Sequence, residues 1–441
     1  MTEVEYVTHA SLSVRRAGCC LLLDPFYFLD EPLSRTMCHF PARNFETVEF
    51  GQIDYVFSSH IHPDHSHPLT LTRLKPQIRH VLLPAERPEL QARYRSLGFD
   101  DITLLENGET FALRDDLEVT AFWSDPVDCA LVVRAGDHVI LHQNDCQLTP
   151  PVLEAIGQRF SVDYAFLCYT AAQDLFPLLL DRPASELERL ARAREEERFR
   201  HNLACIAAWK PSHVVPYSMT MTYFQPDQIH LNGYGRFVPN LFCERVRAAR
   251  PGVRADSMQP GDVIELDSGR IRQAAKGDAW GANLDEYLAN IRQFAAEHRH
   301  QLPAFDPGSP RAVTGELFEY LRGRLKAPFQ RGVAKGMVCL HVTGATAQDR
   351  VTFLLNLKAG TVVRGSPAWL TGPRPWLSVS VPATIVQLLL EHSYDPFSAL
   401  YSYRVGFQLD AEHRRSPRED TELLVSFFVD LFAPALVNGV L

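Results

Sequence analysis

The chain has no Cys-x-x-Cys pair, no apolar run long enough to cross a bilayer, no Gly-x-Gly-x-x-Gly fingerprint and no excess of positive charge. Each absence removes a class. The lack of such a pair argues against a zinc ribbon or a disulfide framework. The nine cysteines are an odd number, and several lie in apolar runs such as Ala165-Phe166-Leu167-Cys168. A free thiol there behaves as a small hydrophobe. A net charge of -9, with Lys and Arg spread along the chain, leaves no electrostatic footprint for nucleic acid. No membrane span is expected, because a helix needs about 20 apolar residues to cross. Without a dinucleotide fingerprint, any redox chemistry needs an external reductase. Met1 leads into a polar, strand-like segment without the pattern of a signal peptide, so the expected placement is a reducing cytoplasm.

What is present is an ordinary globular balance, 46% apolar and 22% charged, over 441 residues. That length exceeds one small core, and two domains are expected. Short β-prone runs open the chain at Val4 to Thr8, Ser11 to Arg15 and Cys19 to Asp24. An apolar strand at Asp54 to Ser59 is followed by others at His80 to Leu83, Leu117 to Trp123, Cys129 to Arg134, His138 to Leu141 and Tyr164 to Tyr169. The pair flanking Ala135-Gly136-Asp137 reads as a hairpin. Ala184 to Trp209 reads as a long helix whose Glu195-Glu196-Glu197 run is a solvated face. A composition shift near Ala274 to Gly281 marks a domain edge, giving a catalytic domain over 1–280. A helix (Asn283 to His300) and a proline-rich linker (Gln301 to Pro310) fill 281–310. An α+β domain over 311–441 follows, with strands near Val338 to Thr343, Val351 to Leu357, Trp376 to Val381 and Ser402 to Leu409. Its helices are expected at Ala383 to His392 and Asp420 to Ala433.

Four of the seventeen histidines fall in His60-Ile61-His62-Pro63-Asp64-His65-Ser66-His67, directly after the buried strand. Alternate residues of an extended segment point the same way, so His60 and His62 can converge on one cation. Asp64 and His65 are then offered to a second. Imidazoles and a carboxylate leaving a strand end suit a divalent transition metal. His67 falls outside the pattern and reads as a supporting or exposed residue.

The run matches the H-x-H-x-D-H signature of the metallo-β-lactamase superfamily, which residues 4 to 240 resemble. The resemblance implies an α/β fold, an αββα sandwich. Thr8-His9-Ala10-Ser11 and Leu21-Leu22-Leu23-Asp24-Pro25 look like its first strands. Asn144-Asp145-Cys146 falls where the family has its metal-bridging aspartate, so Asp145 is implied as the bridging ligand, and Asp64 and Asp145 as the catalytic carboxylates. The family's hydrolases supply two further histidines. The first is expected after Leu117 to Trp123, where this chain has Ser124-Asp125-Pro126-Val127-Asp128. The second is expected after Val214-Val215-Pro216, where it has Tyr217-Ser218-Met219. Neither place offers an imidazole. Asp125 or Asp128 can substitute at the first gap, and His142, Tyr217 and His230 are weaker candidates.

A donor set with less nitrogen and more oxygen shifts preference from zinc toward iron or manganese. The stretches Val162-Asp163-Tyr164, Tyr169-Thr170-Ala171-Ala172-Gln173-Asp174-Leu175-Phe176-Pro177, Val215-Pro216-Tyr217 and Gln225-Pro226-Asp227 with Asn232 are similar to CMP-N-acetylneuraminate hydroxylases. Those enzymes carry a Rieske cluster, which needs Cys-x-x-His. This chain has none, and its one Cys-x-His is Cys339-Leu340-His341. The resemblance then passes to the nonheme diiron monooxygenases of this fold, including the platensimycin-type diterpenoid hydroxylases of antibiotic biosynthesis. It implies two iron ions with dioxygen as co-substrate, zinc or manganese being the alternatives. The implied substrate is a hydrophobic small molecule, a terpenoid or an acyl group presented as a CoA thioester. The alternative is a dizinc hydrolase of a thioester, lactone or phosphodiester, and a third reading is a noncatalytic lipid-binding protein. From about residue 311 the order Leu377-Ser378-Val379-Ser380-Val381, apolar helix Thr384 to Leu390, then strand resembles the sterol-carrier-like fold. That implies a lipid or acyl site; a plain α+β extension is equally compatible with the residues.

Overall fold

In the computed structural model, the residues described are 1–29, 33–45, 51–124, 128–170, 179–180, 182–234, 238–275, 277–302, 304–327, 336–365, 375–391 and 396–432. The chain divides into two compact units. The first takes Met1–Asp30, Met37–Ala172 and Arg192–Arg299, and the second takes Glu31–Thr36, Gln173–Ala191 and His300–Leu441. The chain therefore enters the second unit three times, twice from within the sequence of the first.

The strands of the first unit are Thr2–Thr8 (β1), Ser11–Arg16 (β2), Cys19–Leu23 (β3), Met37–His39 (β4), Ile53–Phe57 (β5), Ile78–Pro84 (β6), Ile102–Leu105 (β7), Thr110–Arg114 (β8), Leu117–Trp123 (β9), Cys129–Ala135 (β10), His138–His142 (β11), Tyr164–Cys168 (β12), His213–Tyr217 (β13), Met221–Tyr223 (β14), Arg254–Ala255 (β15), Val263–Glu265 (β16) and Arg270–Arg272 (β17). One large sheet runs β17-β16-β1-β2-β3-β5-β6-β7, a second runs β15-β13-β12-β11-β10-β9-β8, and β4 pairs with β14 in a separate two-stranded ribbon. Inward residues of both large sheets, among them Val4, Leu12, Val14, Val119, Leu131, Val133, Phe166 and Val215, form one buried cluster. The helices Pro68–Leu74 (α1) and Pro88–Ser96 (α2) cover the outer face of the first sheet through Leu71, Leu74, Leu90 and Tyr94. The helices Pro150–Arg159 (α3), Ala184–Trp209 (α4) and Pro239–Ala249 (α5) cover the second through Leu153, Ile156, Ile206, Trp209, Phe242 and Val246. This is an αββα sandwich. The helix Leu284–Glu297 (α6) belongs to this unit, with Tyr287 and Ile291 in the central cluster.

The β10–β11 hairpin closes on Ala135 paired with His138. Gly136 has φ 63° at the first central position, which is the type II′ turn that matches strand twist.

The second unit is α+β. It contains Pro310–Arg324 (α7), Met337–Thr343 (β18), Arg350–Asn356 (β19), Thr361–Arg364 (β20), Leu377–Pro382 (β21), Ala383–Leu390 (α8), Pro396–Tyr401 (α9), Gly406–Leu409 (β22) and Pro417–Phe432 (α10). The sheet order is β20-β19-β18-β21-β22, with β18 and β21 parallel. Its apolar residues cluster with Leu317, Leu321, Val386, Leu389, Leu424 and Phe428 of the helices, and with Leu179 and Leu180. Pro310, expected to end a linker, instead opens α7 at its first turn. Proline costs nothing there because that N–H has no intrahelical acceptor. The expected strand from Ser402 begins only at Gly406. Tyr403 has φ 49°, a turn conformation that a strand cannot include. Ala433 lies outside the described residues, as do Ala171 to Pro177.

The segment 173–191 is pinned into the second unit by a buried ion pair: Arg182 Nη2 lies 2.8 Å from Asp420 Oδ2, and the Asp420 side chain is fully buried. Asp420 also accepts the Arg415 backbone N–H at 2.8 Å. Removing one partner of a buried pair strands the other. Asp420→Ala is therefore expected to lower unfolding stability by about 3 kcal/mol, read by denaturant titration. A loss below about 1 kcal/mol would show that the pair is solvated.

Candidate metal centre

The strands β3 and β5 are parallel neighbours, so Asp24 and the loop Ser58–His65 leave the first sheet at the same edge. In the second sheet β11, β12 and β13 are parallel, which brings Asn144, Asp145 and Tyr217 to a corresponding edge. Trp123 ends β9 and pairs with Cys129 at the start of β10, placing Asp128 at that rim. The carboxyl ends of strands are where α/β folds assemble ligand sites, because loop residues there converge on a rigid frame. Arg93 of α2 secures the histidine loop by donating to the carbonyl of Ile61 and, at 2.7 Å, to Ser66 Oγ.

Among the described residues, two groups of side chains could hold a metal ion, His60/His65/Asp145 and His9/Asp64/His65, each with its donor atoms within 4.8 Å of one another. His65 is common to both. Its Nε2 lies 3.0 Å from Asp145 Oδ2 and 3.6 Å from Asp64 Oδ2. His60 Nε2 lies 2.9 Å from His62 Nδ1 and 3.7 Å from Asp128 Oδ1. His60 and His65 are fully buried, whereas His62 is open to solvent and marks the mouth.

Behind the cluster sits Asp24, fully buried. Its Oδ2 accepts from His65 Nδ1 at 3.0 Å, His142 Nε2 at 3.0 Å and Ser59 Oγ at 2.8 Å, and its Oδ1 accepts from the Ser59 backbone N–H at 2.7 Å. The single proton of Ser59 Oγ goes to Asp24, so the hydroxyl must accept from His60 Nδ1, 2.9 Å away. Both Nδ1 atoms thus carry their protons, which leaves the Nε2 atoms of His60 and His65 facing the cluster, where they could reach a metal ion. A carboxylate behind a histidine is the arrangement that fixes tautomer and ring orientation at metal sites. The donor set passes the chemical test for a metal pair.

An αββα sandwich with the H-x-H-x-D-H run on the loop after β5 is decisive. The chain has the metallo-β-lactamase fold. It matches no family model. A Mycobacterium tuberculosis protein named as a Rieske 2Fe-2S iron-sulfur protein is 27% identical over 259 residues, covering 55% of this chain and 49% of that one. This chain therefore spans about half the length of the curated relatives it matches. Among solved structures, CmlA, a diiron β-hydroxylase from Streptomyces venezuelae, has 21% identity and a TM-score of 0.45, over 60% of this chain and 54% of that one. Igni18, a metallo hydrolase from Ignicoccus hospitalis, has 18% identity and a TM-score of 0.42, over 60% and 97%.

Within this metallo-β-lactamase fold, His60, His62, Asp64, His65, Asp145 and Asp128 come together, whereas Asp125 lies outside the described residues. His142 spends Nε2 on Asp24 and Nδ1 on Tyr217 Oη, 2.8 Å away, so it holds Asp24 in place and offers no nitrogen to the cluster. Tyr217 Oη also accepts the Asn144 backbone N–H. His230 is exposed on the short helix Ile229–Gly233 and joins neither group. His67 is buried and caps α1 by accepting from Thr70 N. Sequence reasoning missed His9, Asp24 and Ser59. The trace they leave is an acid at the end of an apolar strand, Leu21-Leu22-Leu23-Asp24, and a serine just before His60. Backbone strain marks the place as well. Of the eight non-glycine residues with positive φ among those described, His9, Asp24, Asn144, Ser218 and Met219 lie at this rim. Such conformations cluster at functional sites because the surroundings must enforce them.

Burial alone would lower the His65 imidazole, but the carboxylates of Asp145, Asp64 and Asp24 outweigh it and hold it well above the ordinary histidine value. Burial would raise Asp145, yet His65 draws it below the usual carboxylate range. His60 is held well below its ordinary value by burial and by His65 and His62. In the metal-free protein at neutral pH, His65 is therefore protonated and His60 is not. Metal uptake must displace the His65 Nε2 proton, so affinity rises with pH until the raised His65 value is reached. Titration calorimetry with Zn²⁺ at pH 7, in buffers of different ionisation enthalpy, is expected to show about one proton released per chain. Asp24→Asn, which cannot accept from every donor around it, is expected to weaken metal binding by about 10–100-fold in a chelator competition.

Proposed function

We propose that this protein is a nonheme diiron monooxygenase that hydroxylates a hydrophobic small molecule, a terpenoid or an acyl thioester, with an external reductase. The observation that carries this reading is the identity of the donors at the two places where hydrolases of the fold have histidines. At the first, Asp128 brings a carboxylate oxygen 3.7 Å from His60 Nε2. At the second, Tyr217 turns its hydroxyl to His142 and Asn144 and away from a ligand role. The cluster then has three imidazoles, from His60, His62 and His65, and three carboxylates, from Asp64, Asp128 and Asp145. Oxygen-rich sets of this kind favour iron or manganese over zinc.

When bound, an iron pair supplies dioxygen activation. The chain's own residues do the rest. Asp24 holds His65, and through Ser59 it holds His60, so the rings cannot rotate as charge at the site changes. Burial of His60, His65 and Asp145 excludes water from the inner side, while His62 leaves one approach open. The α+β unit is assigned a lipid or acyl site of its own. Its order of strand, apolar helix and strand at β21, α8 and β22 supports that assignment.

Protein purified from iron-replete cells without added metal is expected to hold two irons per chain, and when chemically reduced to consume dioxygen. Stoichiometric zinc, with ester or thioester cleavage that proceeds anaerobically, would establish the dizinc hydrolase instead. Asp145→Ala is expected to hold no more than one metal per chain under either chemistry, which tests the site independently of the reaction.

A further inference from the structure

The loop Tyr217–Thr220 has no histidine, yet it wraps around one from the other sheet. The Ser218 N–H donates to the His9 carbonyl at 2.8 Å, and the His9 N–H donates to Thr220 Oγ1 at 3.1 Å. The Met219 N–H donates to His9 Nδ1 at 3.1 Å. The other ring nitrogen, Nε2, lies 3.1 Å from Asp64 Oδ2. His9 therefore stands beside the place the missing histidine would occupy, which makes it look like a substitute ligand.

The hydrogen bonds decide otherwise. A backbone N–H has a fixed proton, so Nδ1 must present its lone pair to Met219. A neutral imidazole carries only one N–H, and with Nδ1 bare that proton sits on Nε2. An Nε2–H group cannot ligate a metal; it can donate to Asp64. Both the ring orientation and the tautomer are set by two partners on opposite sides, and the left-handed backbone at His9, Ser218 and Met219 (φ 49°, 79° and 61°) holds that geometry.

We propose that His9 is a positioning residue that donates from Nε2 to Asp64 and is not a metal ligand. A carboxylate oxygen has two lone pairs, so Asp64 Oδ2 can accept from His9 on one and keep the other for a metal. The proposal rests on the metal-binding part of the reading above and is indifferent to whether the reaction is oxidative or hydrolytic.

Cobalt-loaded protein tests it. Glutamine at position 9 keeps one N–H donor and one acceptor, as a neutral imidazole does. His9→Gln is expected to bind two cobalt ions per chain with unshifted visible d–d bands. His9→Ala is expected to lose about 10–100-fold in affinity for the second ion, with the same bands at saturation. Bands that shift in His9→Gln, or a second ion lost from it, would show that a ligand nitrogen has been removed and would overturn the proposal. A readout on the unmutated chain guards against misfolding of the variants. In ¹⁵N-histidine-labelled, zinc-loaded protein, the ring signal absent from His9→Gln is expected to have a proton on Nε2, and a bare Nε2 would overturn the proposal. Failure of the wild-type chain to take up metal would sink the broader reading, whereas changes confined to His9 variants would sink this one.

Discussion

A single buried carboxylate, Asp24, accepts from Ser59, His65 and His142, and the geometry of the metal cluster depends on it. The donors come from both sheets: Ser59 and His65 from the loop after β5, and His142 from the end of β11. The carboxylate thus ties the two layers together at the rim where the site forms. Hydrogen bonds to a charged group contribute about 1.5–3 kcal/mol each, which offsets the cost of burying an ionised acid. Burial alone would raise the Asp24 carboxyl, and the two histidines bring it below the usual carboxylate range instead. The same bonds orient His65 and, through Ser59, His60.

That frame explains why a donor can change without collapse of the site. The rings are fixed from behind, so the front positions are free to vary in chemistry. Here the place of one histidine faces Asp128, and the sequence position of the other holds Tyr217, whose hydroxyl turns from the cluster to join the Asp24 network through His142. Tyr217 is thereby converted from a possible ligand into support for the frame, and the loop after it is used to hold His9.

The local part of the site was legible in the sequence. His60, His62, Asp64 and His65 lie within six residues, so order along the chain was enough to group them, whereas Asp145 was implied only by the family resemblance. Asp24 and His9 were not legible as site residues, because their role comes from strands far apart in sequence meeting at one edge. Fold reading failed in a consistent way. The helices α1, α2, α3, α5 and α7 each begin with proline at the first turn, and none was expected. Of these prolines only Pro310 carries an expectation, as the end of a linker, whereas proline's fixed φ and missing N–H make it a good first helical residue. Strands were easier, since β1 to β3, β5 and β9 to β12 show apolar runs bounded by turn residues.

X-ray absorption at the metal edge of the protein as isolated tests the central claim most directly. The account predicts iron, a first shell dominated by oxygen with three imidazoles shared over two ions, and a metal–metal vector at roughly 3.5–4 Å. A zinc edge with a larger imidazole count, or a single ion with no metal–metal vector, would contradict it.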